Sequence, residues 1–315
     1  MTGASRFLLA RLAQTAVVAL VVGGLCFALM RVLPGDAAMR IAAGRYGPDA
    51  MSAEAADRVR AELGLDRPWP AQFLDWIGDL VQLDLGRSLV SGAPVIDELA
   101  IQLGYSLWLA GAAVLLSLLI GPAAGIVAGL RPGSWADRLG LAASVALRSL
   151  PPFVLGLLLM LLFSIQLGWL PPAGFGTWRD ILLPALTLAL GLAAVSSRVT
   201  RDAVAAVARA PYFAFARHKG LPDGVALRRH GLRNAAIPVV SYLGLQTVYL
   251  IEGVVVVETI FAYPGIGHAL VHAIIARDIP MVQGTALVMG LLFVAINAAV
   301  DAACAWLDPR LRAAP

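Results

Sequence analysis

The chain has 315 residues, of which 59% are hydrophobic and only 14% charged, and its formal net charge is +4. A soluble chain would carry roughly 25% charged residues, so this composition excludes an ordinary soluble domain and predicts one integral membrane domain. The positive charge does not indicate nucleic-acid binding, because the basic residues are distributed as membrane topology requires. Cys26 and Cys304 lie in apolar stretches and are interpreted as small core residues, not as disulfide or metal partners.

The first apolar run extends from Leu12 to Leu33 and follows the basic residues Arg6 and Arg11. It is too long for the hydrophobic core of a signal peptide, so it predicts an uncleaved transmembrane helix. Residues 1–33 are therefore assigned to a cytoplasmic N-terminus and the first span.

Residues 34–104 hold most of the acidic residues of the chain and predict an extracytoplasmic subdomain. Ser52 is placed to cap a helix that runs to about Leu63, and apolar residues recur at helical spacing between Gln72 and Leu83. Two interpretations remain open for this subdomain: a contact surface for a substrate-binding protein, or a cap at the membrane interface.

Five further stretches are long enough to cross a bilayer as helices, since a span needs about 20 residues and lipid offers the backbone no partner. They are Tyr105 to Leu130, Leu139 to Leu167 (interrupted at Arg148-Ser149-Leu150-Pro151-Pro152), Ile181 to Val195 with a polar extension past Arg198 and Arg201, Ile237 to Phe261, and Met281 to Trp306. We therefore predict an all-α membrane protein with six transmembrane helices, in which residues 105–308 form a five-helix core and residues 309–315 a cytoplasmic tail. Arginine and lysine are concentrated in alternate short loops, so both termini are predicted to be cytoplasmic.

The longest basic segment lies between the fourth and fifth spans, from Arg209 to Pro238. Gly220 follows basic residues as a glycine after a helix often does, so we predict one short helix from about Tyr212 to Lys219. A turn at Leu221-Pro222-Asp223-Gly224 and a second helix from about Val225 follow. The segment is either a loop that only sets topology or, because paired helices with apolar faces fit a groove, a docking element for a partner protein.

The letters ARHKGL (Ala216 to Leu221) and RHGLRNAAIPV (Arg229 to Val239) resemble the EAA loop of ABC importer permeases. In detail they are similar to the first permease subunit of the dipeptide/oligopeptide/nickel transport family. VVVETIFAYPGIG, from Val255 to Gly267, and the segment that begins LGLDRPWP at Leu63 resemble the same family. The resemblance extends from the first span to Asp308-Pro309-Arg310.

This resemblance implies that residues 209–236 dock on an ATPase subunit, with Gly220 as a hinge. The docking residues that it implies are Phe213, Phe215, Ala216, Arg217, Lys219, Gly220, Leu221, Arg229, His230, Arg233 and Asn234. It also implies a bacterial inner membrane location and three kinds of protein partner: a second homologous permease, two ATP-binding subunits that carry ATP and Mg, and an extracytoplasmic substrate-binding protein. The lipid bilayer is a further partner, and no nucleic acid and no cofactor are expected in this chain.

The loop also departs from the family pattern at its start. Ala214 stands where the loop of the family has its eponymous glutamate, and Ala210-Pro211 replaces a polar-acidic pair. The first loop helix is therefore less acidic at its N-terminus, where an acid favours the helix dipole.

The sequence contains none of the motifs that we associate with catalysis. GxxxxGK[ST], HExxH, CxxC and GxSxG are absent, so no catalytic residue and no ATP-binding loop are predicted. His268 and His272 are spaced i,i+4 as two metal ligands on a helix can be, but no third ligand accompanies them. They are interpreted as interfacial polar residues at the outer end of the sixth span, and no metal site is predicted.

Polar residues within the spans are the candidates for a translocation path, because a charge inside a membrane is costly and usually faces protein or water. Gln246, Tyr249 and Glu252 form one broad stripe on the fifth span, and Glu252 either lines the path or pairs with an arginine or the second permease. The further candidates are Arg148, Ser149 and Ser197. Arg198 and Arg201 are instead interpreted as snorkelling to the cytoplasmic headgroups.

These inferences predict a permease that moves di- or oligopeptides, or a related small solute such as a nickel chelate, by alternating access. The alternative is a stand-alone ion-coupled transporter that uses Glu252 and Glu258. Dipeptides, longer peptides, nickel chelates, opine-type metallophores and glutathione all remain open as substrates.

Overall fold

The computed structural model describes residues 3–32, 35–47, 52–62, 66–82 and 84–307. In this part of the chain the backbone is helical apart from turns, loops and one isolated bridge between Arg87 and Pro94. The helices are α1 (Gly3–Val32), α2 (Ala37–Tyr46), α3 (Ala53–Glu62), α4 (Trp69–Val81), α5 (Val95–Leu130), α6 (Trp135–Ser149), α7 (Pro152–Met160), α8 (Leu182–Ala208), α9 (Pro211–His218), α10 (Asp223–Ala226), α11 (Leu232–Ile260), α12 (Ile266–Ala276) and α13 (Ile279–Leu307). The π-helical segments Leu161–Gln166 and Leu227–Gly231 continue α7 and α10.

The residues at several helix starts explain where those helices begin. The side chain of Asp36 accepts the N–H of Ala38 at 2.9 Å, and that of Ser134 accepts the N–H of Asp137 at 3.3 Å. Both satisfy a backbone donor that the first turn of a helix leaves unpaired. Helices α4, α7 and α9 carry a proline in their first turn, where its missing N–H is tolerated.

Three of the described helical stretches are long and apolar enough to cross a membrane alone: α5, α8 and the segment Ile279–Val300 of α13. Helix α6 and the run Pro152–Gln166 pass the same test together, as a broken span bent by 106°. The predicted all-α membrane protein is therefore confirmed, while the count of six spans stays a prediction. The C-terminal tail, residues 309–315, lies outside the described residues.

The chain divides into two compact units, the first of which lies within Met1–Ser106 and Pro264–Val294. In this unit α2 packs against α3 and α12, and Ile41 and Val59 are fully buried in a small apolar cluster. The buried carboxylate of Asp278 accepts the hydroxyl of Ser88 and, at 3.1 Å, the N–H of Leu89. These bonds anchor part of the predicted subdomain to the turn between α12 and α13.

The second unit comprises Leu107–Tyr263 and the chain from Ala295, and α8 is its centre. Helix α8 packs against α6, α7 and α11. It also lies very close to α5 because three glycines spaced by four residues face it. A Cβ atom added at Gly121, Gly125 or Gly129 would lie 2.1, 2.5 or 2.6 Å from an oxygen atom of α8. Small residues let membrane helices approach in this way.

Several predicted elements differ in extent from the observed ones; helix α5, for example, begins at Val95 and not at Tyr105. The second loop helix, predicted to run toward Pro238, continues beyond it, because helical backbone extends from Asp223 to Ile260 with Pro238 inside α11. The pair His268 and His272 does not belong to the sixth span but to the separate helix α12. Arg277, in the left-handed conformation with φ 55°, ends α12 before α13 begins.

Candidate docking loop and membrane cavity

The first helix of the loop, α9, ends at Gly220, whose φ of +80° suits glycine and strains other residues. The N–H of Gly220 donates to the carbonyl of Arg217 at 2.9 Å, and the N–H of Leu221 donates to that of Ala216 at 3.2 Å. The two bonds form a Schellman motif, which satisfies the last carbonyls of the helix. The predicted helix end at Gly220 is confirmed, and the motif holds this glycine in a defined turn.

The loop has an apolar core that it shares with the end of α8. Phe213 is fully buried and packs in one cluster with Val204 and Val207 of α8 and with Leu227 of the second loop helix. A Cβ atom on Gly231 would lie 2.6 Å from Cγ1 of Val207, so the backbone there approaches α8 closely. Loop and α8 therefore form one packed body.

Arg217 closes the loop across its turn. Its Nε and Nη2 donate to the two carboxylate oxygens of Asp223 at 2.7 and 3.1 Å, and this bidentate pair raises the pKa of Arg217. The guanidinium also lies 5.0 Å from the ring centre of Phe213. A second link joins α9 to α11, because Nδ2 of Asn234 donates to the hydroxyl of Tyr212 at 3.3 Å.

The structure divides the predicted docking residues into two sets. Phe213 and Ala216 are buried in the loop core, so Phe213 is not available to a partner, in contrast to the prediction. The cause is the end of α8, which covers its ring. The exposed members are Phe215, Arg217, Lys219, Gly220, Arg229, His230, Arg233 and Asn234, with Leu221 half-buried.

Phe215 is the apolar centre of the exposed set. Its side chain is 61% exposed, and the ammonium of Lys219 lies 4.6 Å from its ring centre. Aromatic residues and arginine are enriched at protein interfaces relative to the rest of the surface. The exposed face of the loop thus combines one aromatic side chain with several basic ones.

A buried carboxylate joins α6 to α8. Asp137 accepts Nε and Nη2 of Arg201 at 3.0 and 2.7 Å, Nη1 of Arg198 at 3.2 Å and the N–H of Gly133 at 2.9 Å. The side chain of Asp137 is 9% exposed, and those of Arg198 and Arg201 are 25% and 20% exposed. The two arginines therefore share a protein partner on the neighbouring helix, and the interpretation that they snorkel to the headgroups stays a prediction.

A cavity of about 100 Å³ lies in the second unit where α6 gives way to α7. Arg148 and Pro152 line it at the break, Thr187 lines it from α8, and Gln246 and Gly253 line it from α11. Most of the remaining wall is leucine. Gln246 and Thr187 are only 5% and 1% exposed, whereas the side chain of Arg148 is exposed.

Of the predicted path residues, the structure brings Arg148 and Gln246 to this cavity. Tyr249 and Glu252 lie within α11, but their side chains lie outside the described part of the structure. Glu258 is fully buried near the end of α11.

The two predicted serines are used differently. The hydroxyl of Ser149 donates to the carbonyl of Val145 at 2.8 Å, one turn earlier in its own helix. Ser197 lies at the contact between α6 and α8, with its hydroxyl 3.1 Å from that of Ser144. Neither is among the described residues that line the cavity.

The two histidines of α12 lie close together, with ring centres 4.4 Å apart. Over the described residues, no group of three or more His, Cys, Asp or Glu side chains is placed to hold a metal ion.

The structure described so far has a loop that packs against α8 and continues into α11, together with several apolar helices long enough to cross a membrane. Two protein-family descriptions match this chain. "Binding-protein-dependent transport system inner membrane component" matches residues 121–313, and "Binding-prot-dependent transport system membrane comp, N-term" matches residues 4–108. The chain belongs to this family of ABC importer permeases. The permease is accordingly a non-enzymatic, multi-pass component of the inner membrane.

Sequence similarity to individual permeases assigns the chain to the dipeptide/oligopeptide/nickel branch of this family. The permease is 41% identical over 293 residues to the "Glutathione transport system permease protein GsiC" of Pectobacterium atrosepticum, a match that covers 93% of this chain and 94% of the relative. It is 41% identical over 292 residues to the protein of that name from Escherichia coli K12, with the same coverage. These matches confirm the resemblance to the dipeptide/oligopeptide/nickel transport family.

One solved structure shares the fold at low sequence identity. It is described as an "amino acid ABC transporter with histidines", and it is 16% identical with a TM-score of 0.50. The match covers 68% of the permease and 94% of that chain. At this identity the likeness shows the fold alone.

Proposed function

We propose that the permease forms one half of a transmembrane pathway for small peptides, and that a second, similar permease forms the other half. Two ATP-binding subunits bind on the cytoplasmic side and hydrolyse ATP with Mg, and an extracytoplasmic protein delivers the solute. ATP-driven closure of these subunits moves the loop 209–236, which shifts the spans and opens the pathway to each side in turn.

The observation that carries this proposal is that the loop is built into two membrane helices. Phe213 packs against the end of α8, and the second loop helix runs without interruption into α11. Packed cores shift as bodies between discrete arrangements and do not deform continuously. A displacement of the loop therefore acts on α8 and α11 together.

The docking surface of this proposal consists of the exposed loop residues. Phe215 supplies the apolar contact, and Lys219, Arg229, His230 and Arg233 supply polar and charged contacts around it. Gly220 leaves room for close backbone approach at the turn. Arg217 and Asn234 contribute by holding the loop in shape.

The proposed orientation follows from the docking role. A loop that binds ATP-binding subunits faces the cytoplasm, and so do both termini if the six predicted spans are present. The subdomain of residues 34–104 then lies outside, where the substrate-binding protein would meet it. The charge distribution of the short loops supports the same orientation.

The proposed substrates are short peptides and peptide-like solutes. The relatives quoted above are named as glutathione permeases, and glutathione is a tripeptide. Dipeptides, oligopeptides and nickel chelates belong to the same class of proposals. The separate binding protein would select among them.

Co-purification tests the docking role. Tagged permease is isolated from its host membrane in mild detergent, and the ATP-binding subunits recovered with it are measured by mass spectrometry. The double variant Phe215→Ser with Arg229→Glu is expected to reduce that recovery by about tenfold or more, because it removes an aromatic anchor and reverses a charge at the interface.

Arg179→Glu is the matched control, because it reverses the charge of another exposed arginine outside the loop. Its recovery of ATP-binding subunits is expected to equal that of the wild type. Undiminished recovery with the loop variant would contradict the docking role.

Family membership disfavours the alternative of a stand-alone ion-coupled transporter that uses Glu252 and Glu258. Solute uptake in a host strain that lacks the ATP-binding subunits distinguishes the two functions. An importer loses solute uptake in that strain, whereas an ion-coupled transporter retains it.

A further inference from the structure

Four arginines lie on α6 and α8 in the second unit, namely Arg138, Arg148, Arg198 and Arg201, and they differ in their partners and surroundings. Arg198 and Arg201 share the carboxylate of Asp137, as described above. Arg148 has no acidic partner within 4.0 Å in the described part of the chain. Its guanidinium therefore retains its hydrogen-bond donors for another acceptor.

Arg148 lies far along its helix. It lies thirteen positions after Trp135 at the start of α6, and a rise of 1.5 Å per residue places it about 20 Å along the axis. The hydrocarbon layer is about 30 Å thick, so a span that begins at one face carries this residue well into the bilayer. A charge at such depth usually faces protein or water and marks a solute pathway.

The surroundings of Arg148 suit the end group of a solute. The cavity that it lines has a volume of about 100 Å³, whereas pockets that enclose a whole small ligand measure roughly 300–1,000 Å³. The buried amide of Gln246 adds donors and an acceptor, and leucine side chains form most of the remaining wall. The hydroxyl of Thr187 already donates to the carbonyl of Leu183 at 2.8 Å, so it can only accept.

We propose that Arg148 and Gln246 form a carboxylate subsite that holds the terminal carboxylate of a peptide-like solute during translocation. One guanidinium matches one carboxylate in charge, and its planar fork matches the two oxygens in shape. The amide of Gln246 donates to the same carboxylate from α11. The subsite lies at the 106° break between α6 and α7, where a change in the bend would open or close it.

This inference rests on the proposed function, and uptake by whole cells tests it. The probes are glutathione, dialanine and trialanine, each supplied with a free C-terminal carboxylate and as the C-terminal amide. In Arg148→Gln the ratio of acid to amide uptake is expected to fall by about tenfold, because hydrogen bonds to the charged group are lost. Arg148→Lys is expected to restore part of the ratio, since it keeps the charge without the fork.

Arg138→Gln is the matched control, because it removes an exposed arginine from the same helix at a distance from the cavity. It is expected to leave the ratio unchanged. A misfolded or poorly assembled variant lowers acid and amide uptake equally, so the ratio isolates recognition. An unchanged ratio in Arg148→Gln, with uptake of both forms still measurable, overturns the proposal.

A binding measurement separates this inference from the proposed function. Saturation-transfer NMR on the purified full chain in nanodiscs, with acetate as the probe, is expected to show transfer for the wild type and for Arg138→Gln but not for Arg148→Gln. Absence of transfer in the wild type overturns the subsite whatever the uptake assay shows. Absence of uptake of every probe by wild-type cells, with transfer to acetate intact, overturns the proposed substrate class and leaves the subsite standing.

Discussion

Asp137 is the residue on which the charge balance of α6 and α8 depends. One carboxylate accepts two guanidinium groups and a backbone N–H, and all three donors would lack this acceptor if the carboxylate were lost. An unpaired charge that is largely buried destabilises a protein more than an intact pair stabilises it.

Asp137→Asn is therefore expected to lower the free energy of unfolding by about 2 kcal/mol, because the amide accepts fewer hydrogen bonds and neutralises neither arginine. Thermal unfolding of the permease in nanodiscs measures this loss as a decrease in Tm. Asp202→Asn is the matched control: Asp202 also bonds Arg201, at 2.9 Å, but it is 68% exposed. The control is expected to change stability by less than about 0.5 kcal/mol, and an equal effect of both variants would refute the special role of Asp137.

The sequence contained a signal for part of this arrangement. Ser134 and Asp137 have the spacing of a capping box, which predicts the start of a helix. Nothing local to Asp137 identifies partners that lie 61 and 64 residues further along the chain. Arg198 and Arg201 were assigned to the lipid headgroups for this reason, since the contact of α6 with α8 decides their partner.

Which loop residues are buried could also not be predicted from the local sequence. Phe213 and Phe215 are two residues apart on one short helix, and both were predicted to face a partner. The observed helix buries the first ring against α8 and exposes the second. The helix itself could be predicted from Pro211 and Gly220, but the direction of its apolar face depends on a long-range contact.

At the scale of the helices, the contact of α5 with α8 depends on glycines spaced by four residues. Gly125→Leu is expected to destabilise the permease by about 1–3 kcal/mol, because no room exists for a side chain beside the backbone of α8. Fluorescence-detected size exclusion after a heating series measures the fraction that remains folded.

Gly111→Leu is the control on the same helix, because a Cβ atom there would meet nothing within 4 Å. It is expected to behave like the wild type. An equal loss of folded protein in both variants would contradict the prediction that Gly125 is required by the close contact between α5 and α8. The spacing of Gly121, Gly125 and Gly129 was available in the sequence as a small-xxx-small signal, although its partner helix was not.

For the whole permease, the helical backbone is continuous from Asp223 to Ile260, and in the proposed mechanism this continuity would carry a movement of the loop into α11. Three glycines inserted after Ala236 are expected to break this continuity, since glycine costs about 1 kcal/mol per residue in a helix. Docking should persist, because the loop core and the exposed face are unchanged, whereas solute uptake should fall at least tenfold. Co-purification and uptake, measured on the same cells, test the two expectations separately.

Three glycines inserted after Gly176 serve as the control, because that position is exposed and lies in a loop. Loops tolerate such insertions at small thermodynamic cost. Uptake that survives the insertion after Ala236 would show that the helix from loop to span does not transmit the movement.

The helices of this chain could largely be predicted, because long apolar runs indicate membrane helices and glycine and proline between them indicate where the helices end. The starts of α8 and α9 and the end of α5 agree with the apolar runs and the turn residues. Helix α12 was not predicted, because its residues continue the apolar character of their neighbours and only the left-handed turn at Arg277 separates it from α13. The cavity was not predicted either, since it joins residues of α6, α8 and α11 that lie far apart in sequence.

The bidentate pair between Arg217 and Asp223 has a consequence for the ionic strength at which a partner can be held. The loop neutralises one of its own cations, so fewer positive charges remain for an ATP-binding subunit than the basic sequence indicates. Interactions between exposed charges are largely screened beyond a distance of about 8 Å at physiological salt, and added salt shortens that distance. In the proposed docking, binding that depends on the apolar fit around Phe215 is much less sensitive to added salt than binding by charge. The proposed complex would therefore stay assembled while the ionic composition around it changes.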